Sequence, residues 1–224
     1  MDKKTYNNGI ELINADMFDL EPFPFCDYIF TSPPYNRKRN DKYAHYEDTI
    51  DDYLDFLNRS TERMLIHSRN GVFLNIQKNY YNKAQVNSFI GKWANYIQEI
   101  FVWVKTNPMP ANAKNITNAY EFIFYLGNSP LKANKTYTKN VFSSSVNSNM
   151  PKEHKAVMKL ELAEWVIKNF TQEKCLILDP FGGLATTALA CMRNNRECIC
   201  IEKSPIYHDM AIKRIDEEIN KTER

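Results

Sequence analysis

The sequence predicts an α/β protein: a doubly wound, mostly parallel sheet with helices on both faces. Two observations predict it. Segments of strand character alternate with segments of helical periodicity along most of the chain. Three unusual loops, at 31–36, 179–187 and 202–205, each follow a strand segment. In an open sheet of this kind ligands sit outside the carboxyl ends of the strands, so these loops are expected on one edge of the molecule. The 224 residues are read as one domain, 1–224, with 106–150 as a candidate small target-recognition insert.

Ile10 to Asn14 and Asp27 to Thr31 read as the first strands, the second ending in Ser32-Pro33-Pro34-Tyr35. Two consecutive prolines continue neither strand nor helix, so this segment is a stiff loop. A polar, basic loop follows to Tyr46. Tyr53, Phe56, Leu57 and Met64 recur at near-helical spacing and predict a helix over 49–67, closed by Asn70-Gly71. Val72 to Ile76 is a buried strand, 82–96 a second helix, Phe101 to Val104 and Glu121 to Leu126 further strands. The stretch 131–150 is rich in Asn, Ser, Thr and Lys and predicts no regular element. Helix returns over 155–170, then a strand at Cys175 to Leu178, a helix from Thr186 and a strand at Glu197 to Ile201. Pro205 suits the first turn of a last helix.

The formal net charge is only +2, from 29 basic and 27 acidic residues. A nucleic-acid binder of this balance must gather its basic residues on one face. The five cysteines form no CxxC pair, and Cys198 and Cys200 alternate with isoleucines as small apolar fillers. No metal site is expected. No apolar stretch is long enough for a membrane span, and Met1 to Asn8 lacks a signal-peptide pattern, so the expected location is cytoplasmic.

Two motifs carry a resemblance. Thr31-Ser32-Pro33-Pro34-Tyr35 is similar to a catalytic motif in which Asp, Asn or Ser precedes Pro-Pro-Tyr or Pro-Pro-Phe. Asp179-Pro180-Phe181-Gly182-Gly183-Leu184-Ala185-Thr186-Thr187 is similar to the cofactor motif Asp-Pro-Phe-x-Gly-x-Gly-Thr-Thr. Together, with the catalytic motif first, they resemble the amino-group (N4-cytosine or N6-adenine) DNA methyltransferases of the permuted beta class. The resemblance implies a circularly permuted S-adenosylmethionine-dependent methyltransferase fold. It implies methyl transfer from S-adenosyl-L-methionine to an exocyclic amine of a flipped base in double-stranded DNA, as in restriction-modification.

The resemblance also assigns residues. Ser32, Pro33, Pro34 and Tyr35 are the catalytic set, with Ser32 Oγ and the Pro33 carbonyl accepting the amine hydrogens and Tyr35 stacking on the base. Asp16, His154, Asp179, Pro180, Phe181, Gly182, Gly183, Thr186 and Glu202 are the cofactor-binding set. Asp16 approaches the adenine, Glu202 the ribose hydroxyls and Asp179 the methionine amino group. Arg37, Lys38, Arg39 and Lys42 are expected along DNA phosphates, with Lys105, Asn107, Lys114, Asn115, Lys132, Lys135 and Lys139 as further candidates for groove or phosphate contacts. Ala185 stands where a second glycine is common, and its backbone is expected in the right-handed helical region.

The base stays open at this point. Ser before Pro-Pro-Tyr is commoner among cytosine-N4 enzymes, a slight lean. Trp103 to Pro110 resembles a segment of some adenine-N6 members. The other readings are an RNA or protein-amide methyltransferase and an inactive nucleic-acid-binding protein. A homodimer could complete the grip on DNA.

Overall fold

The computed structural model describes residues 2–37, 48–110, 116–146 and 158–222. The predicted architecture is present. One nine-stranded sheet runs in the order β1-β2-β9-β8-β3-β4-β6-β5-β7. Its strands are β1 (Asp2–Thr5), β2 (Ile10–Asn14), β3 (Cys26–Thr31), β4 (Ser68–Ile76), β5 (Ile97–Lys105), β6 (Tyr120–Leu126), β7 (Val141–Ser144), β8 (Leu176–Asp179) and β9 (Glu197–Glu202). The run β2-β9-β8-β3-β4 is parallel throughout. β6 runs antiparallel to both β4 and β5, and β7 pairs parallel with β5. β8 lies against β3 although most of the chain separates them in sequence, the arrangement expected of a permuted fold.

Alternation along the strands divides the core in two. Tyr28, Phe30 and Phe73 pack with α3 (Leu160–Phe170), α4 (Thr186–Arg193) and α5 (Pro205–Thr222). Ile29, Val72 and Leu74 point the other way, onto α1 (Tyr53–Ile66) and α2 (Lys83–Trp93). A strand buried on both faces needs apolar residues at consecutive positions, which is how β3 and β4 read. Phe73 is fully buried among five other aromatic rings, and truncating such a side chain costs about 3–5 kcal/mol.

Several boundaries differ from the sequence reading, each for a local reason. α1 starts at Tyr53, not Thr49, because the Asp52 carboxylate caps it by accepting the Asp55 N–H at 3.0 Å. Asn70-Gly71 does not stop that helix but lies inside β4. A Cβ on Gly71 would sit 2.5 Å from the Leu126 carbonyl, so glycine permits the close approach of β6. α3 starts at Leu160, because Lys159 is extended (φ −68°, ψ 130°) and its carbonyl accepts the first helical N–H bonds. β1 has no buried residue to announce it; it is an edge strand held by its backbone ladder on β2 and by Lys3–Glu11 at 2.8 Å. Part of the expected insert at 106–150 belongs to the sheet. Its described residues supply β6, inside the sheet, and β7, which closes an edge.

Because the strands from β2 to β4 are parallel, Asn14, Thr31, Ile76, Asp179 and Glu202 all end at one edge. β5 ends there too, at Lys105, and antiparallel β6 begins there, at Tyr120 and Glu121.

Candidate active site

A cavity of about 580 Å³ opens at this edge. That is within the usual size of a small-molecule site, roughly 300–1,000 Å³. The Ser32–Tyr35 loop, Arg37, Asp16 to Phe18, Asp179 to Leu184, Thr186 and Glu202 to Ser204 all line it. The two motifs that the sequence singled out therefore face one space. Pro180, Phe181, Gly182, Gly183 and Thr186 all reach it.

Hydrogen bonds hold the Ser32-Pro33-Pro34-Tyr35 loop at its last two carbonyls and through the residues that follow it. Tyr53 donates to the Pro34 carbonyl at 2.9 Å. Asn79 and Asn82 both donate to the Tyr35 carbonyl, at 3.0 and 2.8 Å. The Asn36 and Arg37 N–H groups donate to the Asp48 carboxylate at 2.7 and 3.1 Å. Asn36 is left-handed (φ 50°), and its side chain exchanges two hydrogen bonds with Ile50. Among the described residues nothing donates to the Pro33 carbonyl, which remains available as an acceptor.

Below the loop lies a network that the sequence reading missed. The Tyr35 hydroxyl is buried and donates toward Asn75 Oδ1 (3.0 Å) and Glu121 Oε2 (3.1 Å). Asn75 is held in that orientation because its Nδ2 donates to the Phe122 carbonyl at 3.0 Å. Glu121 is in turn held by Lys105, 2.7 Å from Oε1, in an ion pair with both side chains under 10% exposed. A tyrosine has one hydroxyl proton, and here two acceptors compete for it. The 2.7 Å bond between Ser32 Oγ and Tyr35 therefore runs from Ser32 to Tyr35. Ser32 Oγ then keeps its lone pairs for the cavity, as an acceptor. Burial, and next the Glu121 charge, push the Tyr35 phenol well above its ordinary value, so it stays protonated.

This placement revises two expectations. Lys105 is not presented to a phosphate; its ammonium is committed to Glu121 and lies over the Trp103 ring. Arg37 also turns inward. Its guanidinium sits 5.1 Å from the Tyr35 ring centroid and donates to Gln77, with Nε buried and unpaired.

Also lining the cavity, Glu202 ends β9 with its carboxylate anchored by backbone. Oε2 accepts the Gly183 N–H and Oε1 the Ser204 N–H, each at 2.8 Å. Burial raises its pKa; those two N–H bonds pull the other way. Asp16 ends the neighbouring strand's loop, accepting the Phe18 N–H at 2.9 Å, with Lys203 Nζ 3.9 Å from its other oxygen. Phe18, Phe56 and Phe181 form an aromatic rim nearby, with centroids 6.0 and 5.6 Å apart in succession. Asp179 reaches the cavity but spends its carboxylate on the fold: Oδ1 accepts from Thr31 (2.6 Å) and the Phe181 N–H, and Oδ2 from Thr187 (2.5 Å). Burial raises its pKa as well.

Gly182 sits close against β9: a Cβ there would meet Cys200 Cβ at 3.0 Å and the Ile201 carbonyl at 3.3 Å, so a larger residue would require those neighbours to give way. Ala185 is left-handed (φ 55°, ψ 38°), not right-handed as expected. It is the residue before α4: its N–H closes a turn onto the Gly182 carbonyl, and its own carbonyl accepts the Leu189 N–H. An L-residue in that conformation costs about 1–2 kcal/mol.

Asn107 is exposed and uses its side-chain oxygen to accept the Val146 N–H at 2.6 Å. Lys132, Lys135 and Lys139 lie on exposed stretches between β6 and β7, away from the cavity lining. Lys38, Arg39, Lys42, Lys114, Asn115 and His154 lie outside the described residues. All five cysteines are free and buried, and among the described residues no group of three or more His, Cys, Asp or Glu could hold a metal. No described helix is long and apolar enough to cross a membrane.

Comparisons with known proteins agree with this geometry. A family model for DNA methylases of the N6/N4 type matches residues 26–213. The type II methyltransferase M2.DpnII of Streptococcus pneumoniae is 25% identical, over 97% of this chain and 94% of that protein. M.Cfr9I of Citrobacter freundii is 29% identical over 55% of this chain, and M.HinfI of Haemophilus influenzae 24% over 88%. The chain spans only 45% and 64% of those two relatives. Among solved structures, the PvuII DNA methyltransferase, described as cytosine-N4-specific, superposes with a TM-score of 0.74 at 19% identity, over 92% of this chain and 86% of that one. M1.HpyAVI in complex with S-adenosylmethionine superposes at 0.70 with 24% identity, over 92% and 98%. By its family match, its motif order and its sheet, this chain belongs to the amino-group (N4-cytosine/N6-adenine) DNA methyltransferases, in their permuted beta class.

Proposed function

We propose that this chain is an S-adenosyl-L-methionine-dependent DNA methyltransferase acting on an exocyclic amine, N4 of cytosine, in double-stranded DNA. One observation carries the reading: an amine-accepting loop and an acidic, glycine-containing loop pair line a single cavity at the carboxyl ends of neighbouring strands. The residues fit the cofactor. Glu202 has acceptor capacity left after its two backbone bonds, as ribose hydroxyls require, and Gly182, with no Cβ to meet Cys200 and Ile201, lets the loop that lines the cavity sit close on β9. Phe18, Phe181 and Asp16 offer an aromatic and acidic edge for the adenine. When bound, S-adenosylmethionine supplies a methyl group already activated on a sulfonium.

The chain's own residues supply orientation. An exocyclic amine is a poor nucleophile because its lone pair is delocalised into the ring. Acceptors that bind its hydrogens draw that lone pair out of conjugation and aim it. Ser32 Oγ and the Pro33 carbonyl are two such acceptors on a stiff loop, so the geometry is set before the base arrives. The target base is inaccessible in a duplex and must leave the stack; the Tyr35 ring lines the cavity where it would enter. Arg37, now over that ring, would have to give way or slide along it.

Cytosine is favoured by the serine of the catalytic motif and by the likeness to the PvuII structure. The second reading, adenine N6, is favoured by Trp103 to Pro110, whose Lys105 is ion-paired beneath Tyr35. Methylating unmethylated genomic DNA with the purified protein, then sequencing single molecules, reports base and context together. N4-methylcytosine supports the first reading and N6-methyladenine the second. Transfer only to RNA or protein would remove both.

A further inference from the structure

The turn between β4 and α2 carries a feature that the cavity does not use. Tyr80 and Tyr81 are 78% and 51% exposed, edge to face at 5.4 Å. Their exposure is built in. Asn79 Oδ1 accepts the Tyr81 and Asn82 N–H groups, and Asn82 Oδ1 accepts the Asn79 N–H. Both asparagine side chains thus face inward, lacing the turn, and their Nδ2 atoms donate to the Tyr35 carbonyl. The tyrosines are left facing solvent on a turn bolted to the catalytic loop. Lysines flank them: Lys83 Nζ lies 4.9 Å from the Tyr80 ring centroid, and Lys78 lies over Phe122. Asn118, donating to the Lys78 carbonyl at 2.6 Å, braces the turn from the side of β6.

We infer that this turn is a duplex-DNA contact, in which Tyr80 and Tyr81 stack against bases bared beside the vacated position while Lys78 and Lys83 meet the flanking phosphates. The partner's identity rests on the function proposed above; the surface itself does not. Aromatic faces held open at a catalytic rim match unstacked bases, because every base presents a π-face. The two ammonium groups match a polyanion and would repel the same lysines of a second copy of this chain. Pre-ordering by the two asparagines means that little side-chain or loop entropy is lost on binding.

The test compares the wild-type chain with Tyr80→Ala/Tyr81→Ala, Tyr80→Phe/Tyr81→Phe and Lys78→Ala/Lys83→Ala. The readouts are affinity for sonicated unmethylated DNA, S-adenosylmethionine affinity by calorimetry, labelled-methyl transfer and sedimentation. The alanine tyrosine pair should weaken DNA binding about 10-fold or more, the phenylalanine pair should retain it, and cofactor affinity should hold in both. The lysine pair should lower the salt slope of log K by about 2. Unchanged DNA affinity in the alanine pair, tighter binding to RNA than to duplex, or an oligomer that only the alanine pair loses would each overturn the inference. A wild-type chain that transfers no methyl, yet loses DNA affinity with the tyrosines, would leave this surface standing and remove the proposed reaction.

Discussion

Replacing Glu121 by Gln separates two roles that the buried network combines. Lys105 and Glu121 are 2.7 Å apart and nearly excluded from water. At an effective dielectric near 20 their attraction is about 6 kcal/mol, set against several kcal/mol of desolvation for each ion. The pair therefore adds little net stability, but removing one partner strands the other. Glu121→Gln leaves the Lys105 charge unpaired and should cost ~3–5 kcal/mol, or roughly 6–20 °C in Tm for a chain of this size. The second role is polarity. The Tyr35 hydroxyl donates toward Glu121 and Asn75, which makes Ser32 a donor to Tyr35 and an acceptor toward the cavity. A hydrogen bond to a charged acceptor contributes about 1.5–3 kcal/mol, so losing that bias should lower kcat ~10- to 150-fold. The double variant Lys105→Met/Glu121→Gln removes the stranded charge and should recover most of the Tm, but not kcat. Thermal melts and single-turnover methyl transfer read the two quantities separately. Recovery of both in the double variant would refute the polarity argument and leave Glu121 a purely structural acid.

Three further outcomes follow from the cavity walls. Glu202→Gln should weaken S-adenosylmethionine binding, and wild-type affinity should fall on acidification with a midpoint above the ordinary carboxylate value, because burial raises the Glu202 pKa; calorimetry against pH should show the titration vanish in the variant. The same raised pKa makes ionised Glu202 a cost to folding, so its contribution to stability is greatest below the unfolded carboxylate's pKa and is lost as pH rises through the folded one. Thr187→Val removes a hydroxyl 2.5 Å from buried Asp179 and should cost about 1.5–3 kcal/mol in urea unfolding, with cofactor affinity following as the loop loosens. Ala185→Gly relieves about 1–2 kcal/mol of left-handed strain but forfeits a buried methyl of ~0.8 kcal/mol, so a small net gain in Tm is expected.

The two motifs were legible because each must be stiff or lack a Cβ at a strand end. Pro33-Pro34 and Gly182-Gly183 announce that requirement in the residues themselves. The order of strands in the sheet is a long-range property, yet parallel connection rules were enough to place three loops on one edge. Boundaries were less legible where a side chain set the start, as Asp52 does by capping α1 three residues inside the expected helix. Ala185 was misjudged for a similar reason. Its neighbours are helical, but the turn onto the Gly182 carbonyl takes it before the helix starts.

Lys105 shows what a linear reading loses. It precedes Thr106-Asn107-Pro108, so it looked like the start of a basic loop that could meet DNA. Its side-chain direction is set instead by the pairing of β5 with β6, in which Trp103 lies opposite Glu121. Residues two apart on a strand share a face, so Lys105 lies on Trp103's side and diagonal to Glu121, within reach of a long side chain. One signal was present all along. Glu121 is the only charged residue in Tyr120–Leu126, a strand otherwise of aromatic and aliphatic residues, with its side chain turned to the buried face. A carboxylate is not tolerated there without a partner, so the sequence already required a cation nearby. Only the register of two strands could say which lysine it was, and that the pair would lie beneath the catalytic tyrosine.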